Sequence, residues 1–418
     1  MSSVSYASRL NQNHDVGGTL GAREIFDDVN DVDDACATVA ELVRDATRSS
    51  DGARASARRG CVIHTGAGIS RACGIPDFRG PNGVWTRRAL GLAPPRCDVA
   101  LDRCAPSATH QIIAELVREG YVTQVVSCNV DCLHLKSGIP RHKLAELHGN
   151  CFAERCETCD VEYVRDFEMP TVGFKLTGRR CKACGGALRD QVLDWDDALP
   201  EIELRRAERE SANACLSIVI GSSMQIKPSC DIPLKTTHKK RRRGRDDGDE
   251  DENRGKLVII NLQRTDKDKK ANIVIHAECD TVMRKLAAHL RLRIPKYVRI
   301  DRLLAKFTAH SLERGEIVLL AIQFVNVHDD HAQIPWLEKI DVSFSDADVE
   351  DATLSSAPFQ LQRNLPSGDE RRVAMTFYFA RGCTERLHTE VCHLSLKGIE
   401  NYAIEKTYEM KTMEKTYE

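Results

Sequence analysis

Cys61-Val62-Ile63-His64-Thr65 runs without a break into Gly66-Ala67-Gly68-Ile69-Ser70. The first five residues read as a short apolar strand and the next as a glycine turn. A Gly-x-Gly turn after a buried strand lets backbone N–H groups approach a pyrophosphate at a helix N-terminus. The same turn is equally an ordinary strand-to-helix connection. The third glycine of the dehydrogenase fingerprint is replaced by Arg71, which argues against a hydride-transferring enzyme.

Outward from this turn, VTQVVSC (122–128), LSIVIG (216–221), KLVIINL (256–262) and NIVIH (272–276) are near-continuous apolar runs. Such runs mark strands buried on both faces of a parallel sheet. Helical patterns separate them: 31–50, then SATHQIIAELVREG with Ile112, Ile113, Leu116 and Val117 on one face and Gly120 as a stop, and finally DTVMRKLAAHL. Alternating strands and helices predict an α/β, Rossmann-like core with a mostly parallel sheet over residues 31–295. Residues 1–30 are polar and read as a loose arm. About 150–190, rich in cysteine and glycine, reads as a small inserted module. About 235–255 contains KKRRRGRDDGDEDE, which cannot bury a core and reads as a solvated insertion. Beyond Pro295 the pattern changes. RRVAMTFYFA places Val373, Met375, Phe377 and Phe379 on one face, and 297–400 reads as a separate all-β domain. Residues 401–418 repeat EKTYE around MKTM and are assigned no structure.

Composition sets the bounds. The 418 residues suggest two or three domains, and 42% hydrophobic content is enough for real cores. A net charge of −2 gives no global attraction to nucleic acid. No apolar run is long enough to span a membrane, and the N-terminus has no apolar segment of the kind that directs secretion. These features predict a soluble intracellular protein. Seventeen cysteines then point to metal ligation and buried thiols in preference to disulfides. Cys156-x-x-Cys159 and Cys181-x-x-Cys184, separated by 21 residues, have the spacing of a tetrahedral structural Zn²⁺ site. Four thiolates fill that shell and leave no position for catalysis. Cys151 lacks a partner at ligand spacing and reads as packing.

GAGIS at 66–70, GIPDFRG at 74–80, Asn129-Val-Asp131-x-Leu-His134 and ELHG at 146–149 follow one another in that order. In this combination, over roughly 20–295, the chain resembles the sirtuin family of NAD-dependent protein deacylases. LAELHGN, YVRD, the LRD-x-x-LDW stretch at 188–195 and VIINLQ resemble the nuclear class that includes the sixth and seventh mammalian sirtuins. The extension after Pro295 resembles that of plant members of this class.

The resemblance implies NAD as co-substrate and an acyl-lysine protein as substrate. The acyl oxygen attacks the anomeric carbon of the nicotinamide ribose and displaces nicotinamide, and a base then activates a ribose hydroxyl. His148 would be that base, since imidazole titrates near operating pH. Asn129 and Asp131 would orient the ribose and the nicotinamide pocket. Asp77 would hold the nicotinamide amide and Arg79 would face phosphate or ribose oxygens. Gly66, Ala67, Gly68, Ser70, Arg71, Phe78, Trp85 and Cys279 would complete the near side of the cofactor site. Gly221-Ser222-Ser223 and Asn261-Leu262-Gln263, at strand ends, would hold the adenosine half. Trp195 is left open between core and site. The family usually has Gln at position 128 and Gly at 132; here both are cysteine. A thiol cannot reproduce the two-sided hydrogen bonding of an amide, so Cys128 puts NAD affinity or rate in question.

Lys239 to Arg245 suits nuclear import or proximity to nucleic acid, and equally a loop neutralised by its acidic neighbour. With the resemblance it implies a nuclear protein acting on histone tails or other chromatin proteins. Three functions stay open: a deacylase, a protein mono-ADP-ribosyltransferase on the same site, and a weakly active chromatin-binding sirtuin.

Overall fold

The apolar runs assemble as strands of one sheet. The computed structural model describes residues 5–11, 14–48, 60–97, 99–237, 255–312, 316–346, 348–368, 370–397 and 401–417. The basic run 239–245 lies outside the described residues. The chain divides into two compact units, residues 1–295 with 417–418, and residues 296–416.

In the first unit, β1 (Cys61–Thr65), β2 (Val122–Ser127) and β3 (Leu144–Glu146) precede the cysteine module, which contains β4 (Gly149–Cys156), β5 (Glu162–Val164), β6 (Leu176–Arg180) and β7 (Ala187–Val192). After it come β8 (Leu216–Ile220), β9 (Lys256–Ile260) and β10 (Ile273–Ile275). The central sheet is parallel, in the order β10-β9-β8-β1-β2-β3. Its strand order therefore reverses between β1 and β8, and in open α/β sheets ligands bind beyond the strand ends at such a switch point. Register places Thr65 beside both Ser127 and Ile220, so the loops after three strands leave the sheet at one level.

Burial explains the order. All five residues of β1 and of β8 are buried, and each such Ile, Val or Leu contributes roughly 1.5–3 kcal/mol. Helices Val29–Arg48 and Cys279–Leu290 pack together through Val32, Cys36, Val39, Val282 and Leu286. Helix Ala108–Arg118 starts on a capping box, with Ser107 accepting from His110 N–H, and ends at Gly120 in the left-handed region. The cysteine module is a separate antiparallel sheet, β5-β4-β7-β6. Its buried pivot is Glu154, which accepts from Arg165 at 2.7 Å, Arg179 at 2.9 Å and Thr177 at 2.6 Å. Among the described residues no helix is long and apolar enough to cross a membrane.

The second unit carries β11 (Tyr297–Leu312), β12 (Ile317–Asn326), β13 (Leu337–Phe344), β14 (Ala352–Leu354), β15 (Phe359–Pro366), β16 (Arg371–Phe379), β17 (Leu387–Leu394) and β18 (Asn401–Lys415). They form two antiparallel sheets, β15-β12-β11-β18 and β14-β13-β16-β17. Inward residues of both, including Phe307 and Phe377, share one core with Trp336 from the turn before β13. The alternation at Val373, Met375, Phe377 and Phe379 is the inward face of β16.

The structure corrects two readings. The 401–418 tail is structured over most of its length: β18 pairs along β11 and buries Tyr408 and Met410. The loose arm 1–30 contains a short helix, Ser5–Arg9, whose turn buries Ala7 and Leu10. In addition, the stretch after the glycine turn, Ala67–Cys73, is a 3₁₀ helix.

Candidate active site

The site begins where β1 and β8 end. Gly66 N–H donates to Ile220 O at 3.0 Å, and Gly68 N–H to Gly221 O at 2.9 Å. A Cβ on Gly66 would lie 2.6 Å from Gly221 O, and one on Gly68 would lie 2.7 Å from Gly221 Cα. Only glycine allows the two loops to approach this closely. Gly221 itself has φ +63°.

Beyond these loops lies a cavity of about 410 Å³. All the cofactor positions read from the sequence except Ser70 line it: Gly66, Ala67, Gly68, Arg71, Asp77, Phe78, Arg79 and Trp85 on one side, Cys128 below the β2 end, Gly221, Ser222, Ser223, Asn261, Leu262 and Gln263 at the ends of β8 and β9, and Cys279 at the start of its helix. Of the residues read as catalytic, His148 and Asn129 also line it. Asp131 and Ser70 sit one layer behind. Ser70 Oγ donates to Asp131 at 2.6 Å, and Asn129 Nδ2 reaches Ser70 Oγ at 3.4 Å and Gly66 O at 3.1 Å. Asp131 therefore holds Ser70 and, through it, the amide of Asn129.

The arginines are engaged differently from the sequence expectation. Arg79 donates to Gly17 O at 2.7 Å and Val16 O at 2.8 Å, fastening the N-terminal segment over the cavity edge. Arg71 pairs with Glu24 at 2.7 Å and approaches Asp77 at 3.6 Å. Burial raises the Asp77 carboxyl above its ordinary range, opposed by the Gly80 N–H and by Arg71.

His148 is tied at both ring nitrogens. Nδ1 lies 3.0 Å from Cys128 O and Nε2 3.3 Å from Ser229 Oγ. Burial lowers the imidazole's ionisation and outweighs the opposing bond to the Cys128 carbonyl, so the ring is neutral near pH 7 and able to accept a proton. Burial also pushes the Cys128 thiol up to about 12, so it stays a neutral thiol.

The sequence reading missed part of the lining. Tyr6 and Leu10 reach it from the N-terminal segment, and Met224 to Ser229 from the loop after β8. Trp195, left open, lines the cavity with Trp85, ring centroids 5.3 Å apart, and stacks on His14 at 4.9 Å. Tyr6 and Leu10 are spaced four apart, a helical signal too brief to stand out from a polar arm.

The Cys156, Cys159, Cys181 and Cys184 sulfurs all lie within 4.8 Å of one another, with Cys156–Cys184 at 3.4 Å and Cys159–Cys181 at 3.6 Å. Tetrahedral zinc with Zn–S of about 2.3 Å sets sulfurs roughly 3.8 Å apart. The donor set and its spacing fit Zn²⁺. Cys151 is buried away from this group, as packing.

A doubly wound sheet with glycine loops meeting at its switch point, a neutral histidine on the cavity wall and a four-thiolate knuckle define a nucleotide-binding α/β protein of the zinc-containing kind. The chain belongs to the Sir2 family, the sirtuins. The Sir2 family profile matches residues 92–228. NAD-dependent protein deacetylase SRT1 of Arabidopsis thaliana is 39% identical over 91% of this chain and 76% of its own length. NAD-dependent protein deacetylase Sirt6 of Drosophila melanogaster is 40% identical over 71% of this chain and 87% of its own. Among solved structures, Sir2 bound to acetylated peptide aligns at 25% identity and TM-score 0.43, covering 61% of this chain and 98% of that one.

Proposed function

We propose that the chain is an NAD-dependent protein-lysine deacylase acting on acetylated histone tails and other chromatin proteins in the nucleus, yielding nicotinamide, O-acyl-ADP-ribose and free lysine. The observation that carries this reading is His148, its Nδ1 anchored on the Cys128 carbonyl, lining the same cavity as the Gly66–Gly68 and Gly221–Ser223 loops. NAD supplies the electrophilic ribose carbon and its leaving nicotinamide. The glycine loops leave room for a pyrophosphate to approach backbone N–H groups. Asn129, held by Ser70 and Gly66, presents a fixed amide to the ribose. Phe78, Trp85 and Trp195 give the cavity an aromatic wall that excludes water. His148 Nε2 takes the proton from the ribose hydroxyl.

The assembled base and amide favour an enzyme over a binding module that has lost activity. Mono-ADP-ribosyl transfer would use the same cavity, and no feature of the geometry selects it. Nuclear localisation and proximity to nucleic acid rest on the sequence resemblance to the nuclear class and on the 239–245 run. Mass spectrometry of acetylated histone peptides incubated with protein and NAD tests the proposal. The expected result is loss of the acyl mass with matching O-acyl-ADP-ribose. An ADP-ribose mass added to protein, with the acyl group retained, would replace it with the transferase reading.

A further inference from the structure

Both nitrogens of the candidate base are already occupied within the protein. The Cys128 carbonyl oxygen, 3.0 Å from Nδ1, can only accept, so Nδ1 carries the ring hydrogen. In the neutral ring Nε2 is then the acceptor, and the Ser229 hydroxyl 3.3 Å away is its donor. Ser229 is itself buried, on a 3₁₀ turn (Ser229–Asp231) in the segment that follows β8. The Cys128 side chain, the family departure at this site, interacts with Ser229 as well. The unusual thiol therefore reaches the base by way of this serine.

We propose that Ser229 is a positioning residue for the deacylation base: its hydroxyl donates to Nε2, fixes the plane of the Nδ1–H ring with Nε2 turned to the cavity, and gives up Nε2 when the ribose hydroxyl arrives. The inference rests on the deacylase reading only for its last step. Ring orientation and proton affinity are properties of the protein alone. Two anchors on opposite sides of the ring fix its plane, as the carbonyl alone would not. A donor to the Nε2 lone pair stabilises the neutral ring, so its removal makes the ring easier to protonate. The ionisable side chains on the flanking segments are His64 in β1, Cys128 just after β2, Glu146 at the end of β3, Asp194 and Asp197 after β7, and Lys227, Cys230 and Asp231 from the serine's own loop. None of them is a cause of the His148 shift, which comes from burial and the Cys128 carbonyl.

The test uses the full chain with ¹⁵N-labelled histidine, without NAD, comparing wild type with Ser229→Ala, Ser229→Thr and Ser229→Cys. In wild type the His148 ring nitrogens should show a single Nδ1–H tautomer. In Ser229→Ala the Cys128 carbonyl keeps the tautomer, but the Nε2 resonance should shift on loss of its donor, and the ring's proton affinity should rise by about two- to tenfold, the worth of one hydrogen bond. Ser229→Thr should restore both signatures, and Ser229→Cys, a poorer donor of similar size, should fall between. In turnover, the acid limb of kcat/KM should move to higher pH in Ser229→Ala, with the alkaline plateau reduced less than the acid side. A serine with only a structural role would lower the rate equally at all pH values and leave the Nε2 resonance and the ring's proton affinity unchanged, and that result would overturn the proposal. Wild type inactive on acyl peptide, with the ring's proton affinity still dependent on Ser229, would overturn the deacylase reading while supporting this one.

Discussion

Nδ1 of His148 is anchored by a backbone carbonyl, and burial keeps the imidazole below its ordinary range. The acid limb of kcat/KM should therefore lie below about 6.5, the ordinary histidine value. A limb at or above that value would show a base exposed to solvent or a different titrating group. Two residues earlier, Glu146 is buried against Asn150, and burial pushes its carboxyl up to about 8, with Arg141 opposing. Between about 4.5, its ordinary value, and about 8, the folded chain holds a proton that the unfolded chain releases. The stability tied to that proton is complete below the lower value and is lost as pH rises through the upper one. Glu146→Gln has no such proton, so melting curves from pH 5 to 8.5 should show the variant gaining on wild type as pH rises. Parallel curves would contradict the burial argument.

At the scale of elements, the strands were legible where burial on both faces makes a continuous apolar run, as in β1, β2, β8 and β9. β3 was not, because its three residues, Leu144 to Glu146, are too few to carry a periodicity of their own. β18 hid for a different reason: its repeats look like low complexity, yet Ile404, Tyr408 and Met410 keep the period of two that pairs it along β11. The glycine turn and the cysteine spacing were legible because each needs a residue type that nothing else replaces. Ser229 and Trp195 were not, because serine and tryptophan have many uses and only the loop path brings them to the cavity. The cysteine knuckle holds one more residue of this kind. Tyr163 Oη accepts from Lys182 N–H at 3.1 Å and so has its hydrogen free for Cys181 Sγ at 3.2 Å. Donors to ligating thiolates steady metal sites, and their loss typically costs about 10- to 100-fold in affinity. Tyr163→Phe should release zinc to a chromogenic chelator faster than wild type and melt at lower temperature, while Cys181→Ser should lose stoichiometric zinc. Equal release from Tyr163→Phe would show the hydroxyl to be idle.

At the scale of the molecule, each unit has its own core, and the central sheet with its cavity belongs wholly to the first. Residues 1–296 expressed alone should fold and retain NAD-dependent turnover. That fragment lacks Tyr417, whose hydroxyl donates to Pro106 O at 2.6 Å, a loss of about 1 kcal/mol. Cooperative melting a few degrees below the full chain, with turnover kept, is the expected outcome. An insoluble fragment beside an active full chain would make residues 297–416 integral to the first unit's folding.

The central claim is that His148 serves acyl transfer and that NAD cleavage is coupled to an acyl-lysine substrate. Nicotinamide release from NAD, measured with and without an acetylated histone peptide, for wild type and His148→Tyr, tests it most directly. Wild type should release nicotinamide only with the acetylated peptide and deacetylate it in equal amount, and His148→Tyr should deacetylate about 100- to 10,000-fold more slowly. Release that ignores the acetyl group, or an unimpaired His148→Tyr protein, would contradict the account.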